Sequence, residues 1–187
     1  AGVVDQRIDA AEVLEGFGHG RLYRVLIAHI QLQGQGFAAG SFDFGGHRFR
    51  DDKAGGHGTV DMVKSIVVSC DTYYYRLAND WGIDGIASFM AQLGFGSRTG
   101  VDLGGESTGI LPSPEWKRKR FKKPEQQKWY AGETVSIGIG QGYNAYTPIQ
   151  LAHATAVVAN NGVVFKPHLV RYIEDVKTGE KRIVEPQ

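Results

Sequence analysis

Asp51, His57 and Cys70 carry the most readily interpreted chemistry in this sequence, because carboxylate, imidazole and thiolate are all zinc ligands. Their spacing, Asp-x5-His-x12-Cys, matches no recognised zinc motif, and a structural zinc site usually has four ligands. The spacing alone therefore favours a chance association. Cys70 is the single cysteine of the 187 residues, so an internal disulfide is excluded and the thiol is buried, reactive or a ligand.

Two short motifs, one containing serine and one containing lysine, are also candidates for a catalytic role. Ser69-Cys70-Asp71 read in isolation is typical of a helix N-cap. Lys177-Thr178-Gly179 lies between two alternating runs and is flanked by Glu174-Asp175 and by Glu180-Lys181-Arg182. These flanks predict an exposed hairpin turn over Thr178 and Gly179.

The composition describes a globular chain with no strong electrostatic partner preference. Hydrophobic residues make up 42% and charged residues 22%, and the formal net charge is +1. That balance gives no overall attraction to polyanions. No apolar run reaches the roughly 18 residues that a membrane span needs.

The elements that must position these residues begin near Phe42. We expect helices over Val60–Val68 with Thr59 as N-cap, over Tyr73–Trp81, from Asp84 to a stop at Gly94, and over Ile149–Ala159 after Thr147-Pro148. The stretch 45–58 is expected to be a Gly-rich loop, and residues 162–176 and 181–186 two strands joined by a turn. Because the predicted helices come first along the sequence and the predicted strands come late, we expect an α/β or α+β class.

Residues 1–41 differ from the rest, since their local signals do not agree with one another. They offer one weak helix near Asp9–Leu14, an apolar run at Tyr23–Ile30 and a Gly/Gln-rich tail. We interpret this segment as poorly specified, and a frameshift or misjoined N-terminus would explain it. The predicted domain boundary therefore separates residues 1–41 from residues 42–187.

Three segments resemble one family in the correct order: "GGHRFRDDKAGGHGTVDMVKSIVVSCDTYYYRLANDWGID", "LPSPEWKRKRFKKPEQQKWYAGETVSIGIGQGYNAYTPIQLA" and "NNGVVFKPHLV". They are similar to the transpeptidase domain of the penicillin-binding protein 2 family, the elongation-type class B penicillin-binding proteins. The resemblance implies part of a penicillin-binding, β-lactamase-like fold, mainly its helical subdomain plus a C-terminal strand hairpin.

The resemblance also implies an activity, partners and a location. The family consists of peptidoglycan D,D-transpeptidases, which crosslink stem peptides by serine acyl transfer, are acylated by β-lactams and work with a membrane glycosyltransferase and elongation-complex proteins. It implies the periplasmic face of the bacterial inner membrane, with an anchor outside this sequence. The basic run Lys117–Lys123, taken alone, could suggest nucleic acid or a targeting signal, or a solvated surface loop. Because the family carries the run too, no nucleic-acid partner is implied.

Site residues carry over from the family only at matching positions. Ser69 would relay a proton toward the leaving amine, and Asp71 would help to orient the substrate amide. No cofactor is required, but the resemblance implies a structural zinc on Asp51, His57 and Cys70. Its fourth ligand would fall near Ala38, which cannot coordinate, so Asp43 or Asp52 is the expected substitute.

The nucleophile of the family is missing from these residues. None of the eight serines has a lysine three positions later, so no Ser-x-x-Lys motif occurs. Lys177-Thr178-Gly179 is not the family's third motif either, because substrate backbone must lie against that strand and charged residues follow here. In the family a similar charged hairpin precedes the true triad, which we expect beyond this sequence. The chain alone is therefore predicted to be inactive, and a non-catalytic scaffold or zinc-binding module is the alternative.

Overall fold

Two compact units make up the part of the chain that the structure, a computed structural model, describes, which is residues 37–187. One unit contains residues 91–110 and 145–187, and the other contains residues 37–90 and 111–144. The predictions for Asp9–Leu14, Tyr23–Ile30 and a poorly packed N-terminal segment lie outside the described residues. None of the described helices is long and apolar enough to cross a membrane.

Four short strands open the second unit. Strand β1 (Phe37–Ala39) pairs antiparallel with β4 (Gly58–Val60), and β2 (Ser41–Phe44) pairs antiparallel with β3 (His47–Arg50). The expectation of a loop through residues 45–58 is therefore wrong at both ends. Gly45 and Gly46 have φ of 58° and 78°, as a two-residue hairpin turn requires, so they join strands instead of ending order.

Two helices follow these strands. Helix α1 (Met62–Val67) begins after Asp61, whose side chain accepts a 2.7 Å hydrogen bond from Lys64 N. The predicted cap at Thr59 is wrong, because Thr59 lies in β4 and its extended backbone cannot begin a helix. Helix α2 (Asp71–Gln92) is broken by Gly82, at φ 77° and ψ 160°, which confirms two helical segments here. Gly94, at φ 89°, follows the helix end as predicted.

The first four residues of the basic run, 117–120, are helical, which corrects the expected surface loop for that part of the run. Ser113 caps helix α3 (Pro114–Arg120) by accepting a hydrogen bond from Trp116 N, and Pro114 occupies the first helical position. Helices α4 (Pro124–Gln127) and α5 (Ala131–Gly138) follow in the same unit. Lys117 is 3% exposed because its ammonium binds Glu133 and the carbonyl of Lys128, so not every member of the run is solvated.

The first unit is centred on helix α6 (Pro148–Ala159). Thr147 is the N-cap and Pro148 lies in the first turn, as predicted, and Gln150 completes a capping box with Thr147. Asn161 and Gly162 have positive φ just beyond the end of the helix. Gln150 is fully buried, and its amide donates to Ser97 O at 2.6 Å and Thr108 O at 2.9 Å.

A hairpin lies near the C-terminal end of this unit, with strand β5 (Tyr172–Glu174) paired to β6 (Lys181–Ile183). The predicted strand over residues 162–176 is mostly wrong. The amides of Leu169 and Val170 bind the Asp102 carboxylate at 2.7 and 3.0 Å instead of a neighbouring strand. The mixed α and β class is confirmed, but the expected order is wrong, since four strands precede α1.

Candidate functional site

Ser69 occupies the turn between α1 and α2, which confirms its predicted position between two helices. Its φ is 53°, a left-handed conformation that is uncommon for a non-glycine residue. The turn is closed by Ser69 N donating to Ile66 O at 3.3 Å and Cys70 N donating to Ser65 O at 2.9 Å. Ser69 is exposed, whereas Cys70 is fully buried. The turn thus separates an accessible hydroxyl from an inaccessible thiol.

A small apolar core holds this turn. Val60, Cys70 and Tyr73 are all nearly or fully buried and pack against one another. Ser65, also buried, donates to Met62 O at 2.7 Å and lies 3.2 Å from the hydroxyl of Tyr74. Hydrogen bonds from buried polar groups of this kind restrict the turn to one arrangement.

Asp51 lies immediately after β3 and places its carboxylate against the N-terminus of α2. Its Oδ2 accepts hydrogen bonds from Thr72 Oγ1 at 2.7 Å, Cys70 Sγ at 3.2 Å and Thr72 N at 3.4 Å, and Oδ1 accepts from Asp52 N at 3.1 Å. Burial alone would raise the pKa of Asp51, but hydrogen bonds from Thr72, Cys70 and Asp52 outweigh it and lower the pKa to about 2. Asp51 is therefore a buried anion at neutral pH.

His57 completes the cluster from the loop that precedes β4. Its Nδ1 lies 3.2 Å from Asp51 Oδ1, and its side chain is 10% exposed. The two atoms are within ion-pair distance, yet the contact does not have hydrogen-bond geometry, so this buried nitrogen has no hydrogen-bond partner within residues 37–187. A ring nitrogen forms hydrogen bonds only near the plane of its ring, so the short Nδ1–Oδ1 distance alone does not make one here.

Asp51, His57 and Cys70 each offer one ligand atom, and these atoms all lie within 4.8 Å of one another. A carboxylate, a thiol and a buried nitrogen without a hydrogen-bond partner fit the donor preference of zinc. Among the described residues no fourth carboxylate, imidazole or thiol joins the group. The expected substitute Asp43 is instead bonded to Arg48 at 2.7 and 3.1 Å, and Asp52 comes no closer to His57 Nε2 than 3.8 Å.

Burial and nearby carboxylates raise the pKa of Cys70, a member of the cluster, and of its neighbour Asp71. Burial, followed by the charges of Asp51 and Asp52, raises the pKa of Asp71. Burial is also the largest cause of the raised pKa of the Cys70 thiol. Cys70 is therefore a protonated hydrogen-bond donor to Asp51 in the metal-free protein.

Lys177, Thr178 and Gly179 form the exposed turn between β5 and β6, as predicted. Asp175 Oδ1 accepts hydrogen bonds from Lys177 N at 2.8 Å and Thr178 N at 3.0 Å, and Gly179 has φ 73°. The Lys-Thr-Gly sequence therefore lies in a turn that Asp175 organises, with no strand through it.

The sequence interpretation missed Thr72 and the Lys117–Glu133 pair. Thr72 is 6% exposed and gives the shortest hydrogen bond to Asp51, but the bond joins residues 21 positions apart. Nothing local marks such a partner. The second feature is also non-local, because Trp129 and Tyr130, which lie 5.8 and 5.3 Å from the Lys117 ammonium, belong to "KWYAGE", a stretch that begins eleven residues after Lys117.

Comparison with known proteins places these residues in context. The family model described as the penicillin binding protein transpeptidase domain matches residues 32–187. The peptidoglycan D,D-transpeptidase MrdA of Acinetobacter baumannii is 52% identical over 131 residues, which are 70% of this chain and 19% of that protein. The chain thus spans about a fifth of the length of this relative.

Solved structures give the same result. A crystal structure of Pseudomonas aeruginosa PBP2 in complex with WCK 5153 is 39% identical, with a TM-score of 0.69 over 81% of this chain and 36% of that one. A complex between PBP2 and MreC from Helicobacter pylori is 29% identical, with a TM-score of 0.65 over 86% of this chain and 30% of that one. The expected transpeptidase fold, present in part, is confirmed. The boundary at residue 42 stays a prediction.

Proposed function

Because the chain belongs to the penicillin-binding protein transpeptidase family, we propose that it is part of a peptidoglycan D,D-transpeptidase of the penicillin-binding protein 2 type. In that reaction an activated serine attacks a stem-peptide carbonyl, the leaving amine takes a proton, and a second amine releases the acyl group. The match over residues 32–187 carries this proposal. We infer the periplasmic face of the inner membrane as the location, and stem peptides, β-lactams and elongation-complex proteins as partners.

Within that reaction, Ser69 and Asp71 are the residues we assign to this chain. An exposed hydroxyl on a rigid turn suits a group that passes a proton to the leaving amine. Asp71 is half-buried beside it, and its side chain has no hydrogen-bond partner among the described residues, which leaves it available to a substrate amide. The serine that forms the acyl bond is not among the 187 residues.

A chimera tests this assignment. Residues 37–187 would replace the homologous segment of the Acinetobacter baumannii relative, whose remaining chain supplies the nucleophile. We expect acylation by a fluorescent penicillin, and a slowing by about 10²-fold or more in a Ser69→Ala chimera, as for loss of a proton-transfer group. A Ser97→Ala chimera is the matched control. Equal acylation by the Ser69→Ala and control chimeras would overturn the role of Ser69.

We also propose that Asp51, His57 and Cys70 hold a structural zinc ion. The buried His57 Nδ1 without a hydrogen-bond partner is the observation that favours it, together with a carboxylate already charged. A zinc ion would cross-link the loop before β4 to the turn that carries Ser69. Its role would be structural, and it would take no part in the reaction. The described residues supply three ligands and water would fill the fourth position, so we expect weaker binding than at a four-ligand site.

Metal content after dialysis against zinc is the direct test. About one equivalent is expected in the wild-type protein and in Asp43→Asn, which lies outside the cluster, and much less in Cys70→Ser. Binding should weaken in acid because protons compete for the imidazole and the thiolate. Less than about a tenth of an equivalent, or unchanged binding in Cys70→Ser, would show an ordinary buried thiol and leave the proposed transpeptidase assignment untouched.

A non-catalytic scaffold is the second candidate, and the absence of Ser-x-x-Lys from the 187 residues favours it. The chimera separates the two. A chimera that folds and binds zinc but is never acylated would support the scaffold.

A further inference from the structure

Positive charge is concentrated in residues 113–130. This segment has seven basic and two acidic residues, a net charge of +5, whereas the remaining residues have fourteen basic and eighteen acidic, a net charge of −4. The whole-chain value of +1 hides this separation. A molecule with such a division of charge is oriented by any extended anionic surface.

Most of the basic side chains in the segment form no ion pair with a residue that the structure describes. Lys117 is buried against Glu133, and Lys119 pairs with Glu115 at 2.6 Å. The other five are exposed and bind no carboxylate in the described part of the chain; we call them the cationic surface: Arg118, Arg120, Lys122, Lys123 and Lys128. They extend from α3 across the turn to α4 and beyond it.

The backbone beneath the cationic surface is fixed. The buried Lys117 ammonium binds Glu133 and, at 2.8 Å, the carbonyl of Lys128, so it ties α3 to the segment before α5. Ser113 and Pro114 fix the start of α3. The charges therefore project from an ordered support, and binding need not order the backbone first.

Aromatic rings lie among these charges. Tyr130 is 50% exposed, and Lys128 Nζ lies 5.3 Å from its ring. Arg120 lies 6.0 Å from the ring of Phe121, which is half-buried. Aromatic rings beside long basic side chains, with apolar Phe121 and amphipathic Tyr130 here, are a combination that settles at the boundary between headgroups and acyl chains of a bilayer.

We propose that the cationic surface binds the anionic phospholipid headgroups of a membrane. Five cations spread over two helices and the turn between them meet many separate anions at once, which mobile headgroups supply by lateral rearrangement. The positive charge concentrated in this segment favours contact with the membrane through the cationic surface. This inference depends on the charge distribution and holds whether or not the proposed acyl transfer is correct.

Co-sedimentation of the full 187-residue chain with lipid vesicles tests the proposal. We expect binding to vesicles with about 30% phosphatidylglycerol, none to pure phosphatidylcholine, and release by salt above about 0.5 M. Each basic residue near such a surface strengthens partitioning about five-fold, so the triple variant Arg120→Gln, Lys122→Gln, Lys123→Gln should bind about 100-fold more weakly.

A second triple variant, Arg171→Gln, Lys177→Gln, Arg182→Gln, is the matched control. It removes three positive charges from the exposed hairpin region. Both triple variants therefore have a net charge of −2, compared with +1 for the wild type. Circular dichroism would verify that both fold. Equal weakening in the two variants, no wild-type binding to the anionic vesicles, or preferential binding of a soluble acidic muropeptide at this surface would each overturn the proposal.

Discussion

Asp51 carries a charge in a place that solvent does not reach, since its side chain is fully buried. A buried carboxylate is costly unless hydrogen bonds replace its hydration, and here hydroxyl, thiol and amide donors do so. The same donors fix the direction of Thr72 and Cys70, on either side of Asp71. Asp51 thereby joins β3 to the turn that carries Ser69.

Thr72→Val should destabilise the metal-free protein by about 2 kcal/mol, because a buried carboxylate loses a hydroxyl donor and gains none. Urea unfolding at neutral pH in the presence of a chelator is the measurement. Thr72→Ser, which keeps the hydroxyl, should lose much less. Similar losses in the two variants would mean that the Thr72 methyl group, and not its hydrogen bond to Asp51, stabilises the site.

Helix α5 packs closely against α2. Gly138, its last residue, is so close to α2 that an added Cβ would collide with the Ala78 side chain and would lie 2.8 Å from Tyr74 O. Gly132, near the start of α5, has only the Phe49 ring at 4.0 Å from the corresponding position. A close contact at one end of α5 therefore determines how it packs on the helix that begins at Asp71.

Gly138→Ala should destabilise the protein by about 2 kcal/mol through overpacking against backbone that cannot move aside. Gly132→Ala is the control in the same helix, and it should be neutral or stabilising by up to about 1 kcal/mol, since alanine is the better helix former. Thermal unfolding of both variants would measure the difference. A Gly138→Ala variant as stable as Gly132→Ala would contradict the close packing of α5 on α2.

Elements with local signals are the ones that the sequence predicts well. Thr147, Pro148 and Gln150 mark the start of α6 within four residues, and Gly94 marks a helix end through its own conformation. The errors have non-local or ambiguous causes. A Gly-Gly pair such as Gly45-Gly46 is compatible with both an irregular loop and a two-residue hairpin turn, so it does not distinguish them. The burial of Lys117 depends on Glu133, which is sixteen residues away.

The candidate site shows the same limit. Spacing alone did not favour a metal site at Asp51, His57 and Cys70, and only the family resemblance connected them. Three segments of the chain must fold before their ligand atoms come within 4.8 Å, and no local pattern specifies that meeting. The turn position of Ser69, by contrast, followed from the helical patterns on its two sides.

Whole-molecule stability should fall in alkali. Tyr146 packs on Phe95 with ring centroids 4.3 Å apart, and burial raises its pKa to about 12 from the usual 10.0. Between these values the unfolded chain loses the phenolic proton while the folded protein retains it, so stability is full below pH 10 and declines toward pH 12. The decline should be about 1 kcal/mol, since Tyr146 is only partly buried. Denaturant titrations should show it in the wild type and a smaller decline in Tyr146→Phe; equal declines would assign the effect to other groups.

No Ser-x-x-Lys motif occurs among the 187 residues, and this bears on acylation of the chain. A penicillin is retained only if an activated serine opens its lactam and keeps the acyl group, and activation requires a base within one helical turn or hydrogen-bond reach. Ser69 is accessible, but no lysine follows it at the required position. We therefore expect no stoichiometric penicilloyl adduct when the 187-residue chain is incubated with a fluorescent penicillin, with the intact Acinetobacter baumannii relative as positive control. Intact-mass measurement would detect an adduct, and one that mapped to Ser69 would make that residue a nucleophile instead of a proton relay.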